Sequence, residues 1–141
     1  MIVQKVTYGT MLETRELAEK TFELAKPLYS NIMISGEWYE CVIPEGFVTD
    51  FASVPRIPFA YMLFGGKYNK TGTLHDGLYC DWHHIKIVHS ALRHEIAITK
   101  ELADDILYQS LLDEGASYFT ACMMYQGVNV FGGQFYKRGV T

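Results

Sequence analysis

TFELAKPLYSNIMISGEWYECVI, residues 21–43, decides how the first third of the chain is read. Leu17, Ala18, Phe22, Ala25 and Leu28 fit a helical stripe across 12–26, where Glu and Lys are good helix formers. Phe22, Leu24 and Leu28 also share one face of a strand, and Pro27 ends any helix. The residues downstream favour the strand. Ser35-Gly36 is a turn signal, and EWYECVI at 37–43 is rich in β-formers, so a strand at 21–30 has a hairpin partner.

Working outward, IVQKVTY at 2–8 alternates apolar and polar residues and reads as a strand. Pro44-Glu45-Gly46 is a second turn, and Phe47-Val48-Thr49 a short strand. The first third is therefore expected to form a small antiparallel sheet. Beyond it the pattern turns helical. Val54-Pro55-Arg56-Ile57-Pro58 leads into FAYMLFGG, a short turn of helix stopped by Gly65-Gly66. A helix is expected over 70–82. Thr99 caps another at 100–114, with Gly115 as its C′ residue. The last helix, 117–131, is apolar nearly all round and is expected to be largely buried, with Gly132-Gly133 ending it. The fold class is α+β: a small N-terminal antiparallel β-sheet packed on a C-terminal bundle of about three helices. One domain covers 1–141, β-rich over 1–50 and helical over 54–135, with a short C-terminal tail.

Composition agrees with one domain. The chain has 141 residues, 49% apolar and 20% charged, which excludes wholesale disorder. No apolar stretch approaches the roughly 18 residues of a membrane helix. MIVQKVTYG lacks the charged and apolar regions of a secretory signal, so none is expected. Twelve basic against sixteen acidic residues give a net charge of −4, which argues against a general nucleic-acid binder. Lys137-Arg138 reads as a solvated tail. Cys41, Cys80 and Cys122 are odd in number, far apart and without a CxxC, so buried thiols are the default. Ten Tyr suit a core with wet edges or an assembly interface.

Two motifs carry chemistry. In GFVTDFASVPR, 46–56, Asp50 and Ser53 suit bonds to nearby backbone N–H groups, and Arg56 suits an internal ion pair. Alternatively, Asp50, Ser53 and Arg56 line a cleft in which Asp50 meets a metal or a histidine. In LHDGLY, 74–79, His75 and Tyr79 share a helix face, and Asp76 sits about 100° round from His75. LADDIL, 102–107, places Asp104 at the edge of an apolar face. Two packed helices then bring Asp104 to the His75 ring. That fixes the tautomer and raises the basicity of the imidazole. Asp76 remains for a hard cation. The plainer alternative is a buried His–Asp hydrogen bond that ties two helices together. Cys80 and His83 have CxxH spacing, but no second spaced pair completes a zinc site. His83, His84, His89 and His94 are read as a solvated, irregular loop.

GFVTDFASVPR, LHDGLY, LADDIL and the terminal MMYQGVNVFGG together resemble a phage-encoded family, the domain of unknown function numbered 1353, over roughly 21–135. Residues 82–97 look longer than the family pattern, and Leu107 stands where an aromatic is usual. The resemblance implies a bacteriophage or prophage origin and supplies no activity. HDxxY followed by an Asp on the next helix also resembles calcium-dependent phospholipases. That likeness implies His75 as general base, Asp76 as calcium ligand and Asp104 as orienter; Tyr79, on the face of His75, is expected in the pocket with Ser53 and Arg56. The Gly-rich calcium loop of those enzymes has only a rough counterpart in FGGKYNKTG, 64–72.

Two functions are expected on these grounds. The first is an accessory or virion-associated phage protein of the tail or neck region. It would bind other phage structural proteins or itself, in the virion or host cytoplasm. The second is a small His–Asp hydrolase acting on lipid or cell-wall material in entry or lysis.

Overall fold

The computed structural model describes residues 2–18, 21–49, 68–80, 84–134 and 136–138. Within them the strands are β1 (Val3–Tyr8), β2 (Thr14–Ala18), β3 (Thr21–Leu24), β4 (Leu28–Ile34), β5 (Glu37–Ile43), β6 (Val48–Thr49), β7 (Ile87–His89) and β8 (Glu95–Ile96). The helices are α1 (Asn69–Tyr79), α2 (Lys100–Asp113) and α3 (Tyr118–Phe131), the last followed by a 3-10 turn at Gly132–Gln134. This is the expected α+β arrangement, with an antiparallel sheet first and three helices after it.

The β4–β5 hairpin is the organising element. Ser35 and Gly36 have φ of 51° and 83°. Two successive positive φ values make the tight turn that matches strand twist, and they set Ile34 opposite Glu37. The register then pairs Ile32 with Tyr39, Ser30 with Cys41 and Leu28 with Ile43. All six are buried, so the hairpin has one continuous core face. β1 adds beside β4 and β7 beside β5, giving the order β1-β4-β5-β7-β8.

The expected strand at 21–30 is two strands in two sheets. Pro27 lacks an N–H and restricts Lys26, and the chain bends at 25–27. β3 joins a second sheet, β2-β3-β6, while β4 enters the first. Residues 14–18, left ambiguous by their periodicity, are strand β2. The histidine-bearing segment is not an irregular loop either. Ile85, Ile87 and His89 alternate inward, and β7–β8 is a hairpin on the sheet edge. His89 is buried. Its Nδ1 accepts the N–H groups of Ala91 and Leu92 at 3.2 and 2.9 Å, which folds the turn. His84 and His94 are exposed, and His83 lies outside the described residues.

The helix caps follow their sequence signals. Thr99 and Ser117 accept the N–H groups of Leu102 and Thr120. Gly115, at φ 95°, closes α2 with paired bonds from Gly115 N to Leu112 O and Ala116 N to Leu111 O. α2 has two buried faces. Leu102, Ala103 and Ile106 join the sheet and Leu74, Leu78 and Tyr79 of α1 in one core. Leu107 and Leu111 meet Ala121, Met124 and Val128 of α3 in another. Each such Leu, Ile, Met or Val side chain stabilises the fold by about 1.5–3 kcal/mol, so α2 is held firmly between α1 and α3.

Two expectations about the C-terminal part are corrected. α3 is not largely buried: Tyr118, Phe119 and Val130 are 71%, 69% and 69% exposed. Arg138 is not part of a solvated tail. Its guanidinium donates to the carbonyls of Leu78 (2.7 Å), Gly77 (3.1 Å) and Ile85 (3.0 Å), and Lys137 N donates to Tyr79 O at 2.8 Å. A cation thus caps the carbonyl end of α1, where the helix dipole favours it. The expected helical turn after Val54 lies outside the described residues.

Candidate active site

α1 lays His75 and Tyr79 one turn apart on the same side, with ring centroids at 4.1 Å. α1 can sit close to the sheet because Gly77 faces β5: a Cβ there would lie 2.4 Å from Ile43 Cδ1. Opposite them, α2 presents Asp104 from between its two buried faces. The side chains of His75 and Asp104 are 1% and 2% exposed.

Three donors converge on the Asp104 carboxylate. His75 Nε2 is 3.0 Å and Tyr79 Oη 2.5 Å from Oδ1, and Lys100 Nζ is 2.7 Å from Oδ2. Lys100 also donates to the carbonyls of Val128 (2.9 Å) and Asn129 (3.4 Å) in the last turn of α3. Burial alone would raise the Asp104 pKa, but the bonds from His75, Lys100 and Tyr79 outweigh it and hold the carboxyl below its usual range. Burial lowers the His75 pKa more than Asp104 raises it, and Lys100 lowers it further. Burial, and then the Asp104 carboxylate, raise the Tyr79 pKa, so Tyr79 stays a phenol and a donor.

These protonation states fix a tautomer. An ionised Asp104 only accepts, so neutral His75 donates from Nε2. Nδ1 then carries a lone pair, and it has no hydrogen-bond partner among the described residues. A buried imidazole, oriented by a carboxylate through one nitrogen and basic at the other, is the arrangement of a general base.

Asp76 faces elsewhere. It is 4% exposed, and its Oδ2 accepts the hydroxyl of Thr49, which β6 delivers to α1. Among the described residues no three His, Cys, Asp or Glu side chains gather to hold a metal ion. Asp50, Ser53 and Arg56 lie outside the described residues. Of the seven residues singled out in the sequence, His75, Tyr79 and Asp104 come together, and Asp76 lies beside them on α1 in a different contact.

Residues 23–128 match the family model described as a protein of unknown function, DUF1353. The chain belongs to that family. The DUF1353 match spans Thr49, α1 and α2, and so includes Asp104 and all three of its donors. No curated protein and no solved structure matches the chain.

The site also holds residues that sequence reasoning passed over. Lys100 sits at the first position of α2, where the helix dipole disfavours a cation. That misplacement, four residues before Asp104, was the available signal. Thr49 gave none, because its partner is set by how β6 meets α1.

Proposed function

We propose that this DUF1353 protein is a phage- or prophage-encoded His–Asp hydrolase, directed at ester or related acyl bonds of lipid or cell-wall material. One observation carries the reading: His75 Nδ1 is buried and without a described partner, on a ring whose other nitrogen meets Asp104. In the reaction Nδ1 takes a proton from water as the water oxygen bonds to the acyl carbon. Asp104 stabilises the imidazolium that forms. His75 returns the proton to the leaving oxygen as its bond to carbon breaks. Tyr79 and Lys100 keep Asp104 ionised and in place. His75 is 1% exposed, so substrate reaches Nδ1 only when the chain covering it yields.

The test is hydrolysis of phospholipid vesicles and of peptidoglycan by wild type and His75→Ala, with and without calcium. Calcium is included because Asp76 and Asp50 are the carboxylates the sequence offers a cation. Turnover by wild type that falls at least about 100-fold in a folded His75→Ala variant is expected. Equal rates in the two proteins would end the reading.

A second reading is that of a virion accessory protein working through surfaces. The exposed Tyr118, Phe119 and Val130 on α3 favour it. It predicts the chain in purified particles at a defined copy number.

A further inference from the structure

The last turn of α3 supports both non-histidine donors of Asp104. Val128 and Asn129 hold Lys100 through their carbonyls. Four residues after Val128, Gly132 faces Tyr79. A Cβ on Gly132 would lie 2.6 Å from the Tyr79 hydroxyl oxygen, 3.3 Å from Cε2 and 3.4 Å from Cζ. The backbone does not ask for glycine there, since Gly132 has φ −74° and ψ −15°, which any residue adopts. The space for Tyr79 does. Tyr79 has little room to retreat: its ring lies against His75 on one side and edge-on to Tyr136 at 5.5 Å on another, and its hydroxyl is bonded to Asp104.

We infer that Gly132 is a positioning residue for the His75–Asp104 pair, acting through Tyr79. The missing side chain lets the Tyr79 hydroxyl reach Asp104 Oδ1, the same oxygen that orients His75. The inference rests on the hydrolase reading for its purpose, but its geometry is tested without turnover.

The experiment records the His75 Nε2–H resonance by ¹⁵N-edited NMR in wild type and four variants, with the urea midpoint of each. Gly132→Ala is expected to displace or broaden the resonance and lower the midpoint. Gly133→Ala is the control, because a Cβ there meets nothing within 4 Å among the described residues, and it should leave the resonance in place. Tyr79→Phe, and Gly132→Ala combined with Tyr79→Phe, both lack the hydroxyl through which Gly132 acts, so their resonances should coincide. A wild-type resonance in Gly132→Ala overturns the inference. So does a double variant whose resonance departs from that of Tyr79→Phe, or that fails to fold where Tyr79→Phe folds. If Gly132→Ala alone does not fold, a folded double variant with the Tyr79→Phe resonance supports the inference. Absence of turnover in wild type, with these shifts as expected, would remove the hydrolase reading and leave the positioning role of Gly132 intact.

Discussion

His75 and Tyr79, one helical turn apart on α1, share a single oxygen of Asp104, Oδ1, at 3.0 and 2.5 Å. The sharing ties the orientation of the imidazole to that of the phenol. Lys100 holds the other oxygen, so the carboxylate cannot rotate without breaking a charge-assisted bond.

Asp104 is the residue on which the site and the helix packing both depend. Asp104→Ala leaves Lys100 and the donors of His75 and Tyr79 facing a buried gap. It is expected to cost about 3–5 kcal/mol in urea denaturation. Asp104→Asn keeps the volume but can donate to His75, which favours the wrong tautomer. Hydrolysis should fall on the order of 10⁴-fold, with a smaller loss of stability than in Asp104→Ala.

Tyr79→Phe keeps the ring contacts with His75 and Tyr136 and removes one bond to a buried charge. A loss of about 1.5–3 kcal/mol in the urea denaturation free energy is expected. A loss near zero would mean that the hydroxyl contributes no net bond to Asp104.

Much of this was legible in the sequence. The spacing of HDxxY put His75 and Tyr79 on one face, and Asp104 lay at the edge of an apolar stripe; the structure joins all three. The hairpin at 28–43 was legible from its turn and its β-formers. The break at 25–27 was hidden because the face pattern of Phe22, Leu24 and Leu28 runs through it, while the backbone changes sheets. β7 was hidden because its strand is three residues long and its inward histidine reads as polar. The role of Arg138 was not legible, because a cap on α1 comes from far along the chain and local composition says nothing of that contact.

The pH dependence has one sign for both groups. The folded-state pKa of His75 lies below its ordinary 6.5, so its stabilising share is complete above that pH and declines as acid protonates the unfolded chain first. Asp104, held below its ordinary 3.8, adds a second loss at lower pH still, as pH falls through its folded value. Urea midpoints should therefore be flat near neutrality and begin to fall below about pH 6.5. In His75→Gln the first decline should shrink. The acidic limb of the kcat/KM profile should likewise lie below the ordinary imidazole range.

Arg138 joins the C-terminal segment to the carbonyl end of the helix that carries His75. Arg138→Ala leaves the carbonyls of Gly77, Leu78 and Ile85 without its donors, and a loss of about 1–3 kcal/mol is expected. Faster amide exchange in the last turn of α1, with exchange in α2 little changed, would place the loss at that cap. Uniform exchange changes would argue against it.

The central claim is that His75 holds its proton on Nε2 and a lone pair on Nδ1. Long-range ¹H–¹⁵N correlation of the His75 ring at pH 7 tests it most directly. The account predicts a protonated Nε2 and an unprotonated Nδ1, both unchanged down to pH values below the ordinary imidazole range. A proton on Nδ1 at pH 7, as the neutral Nδ1–H form or as imidazolium, would contradict it.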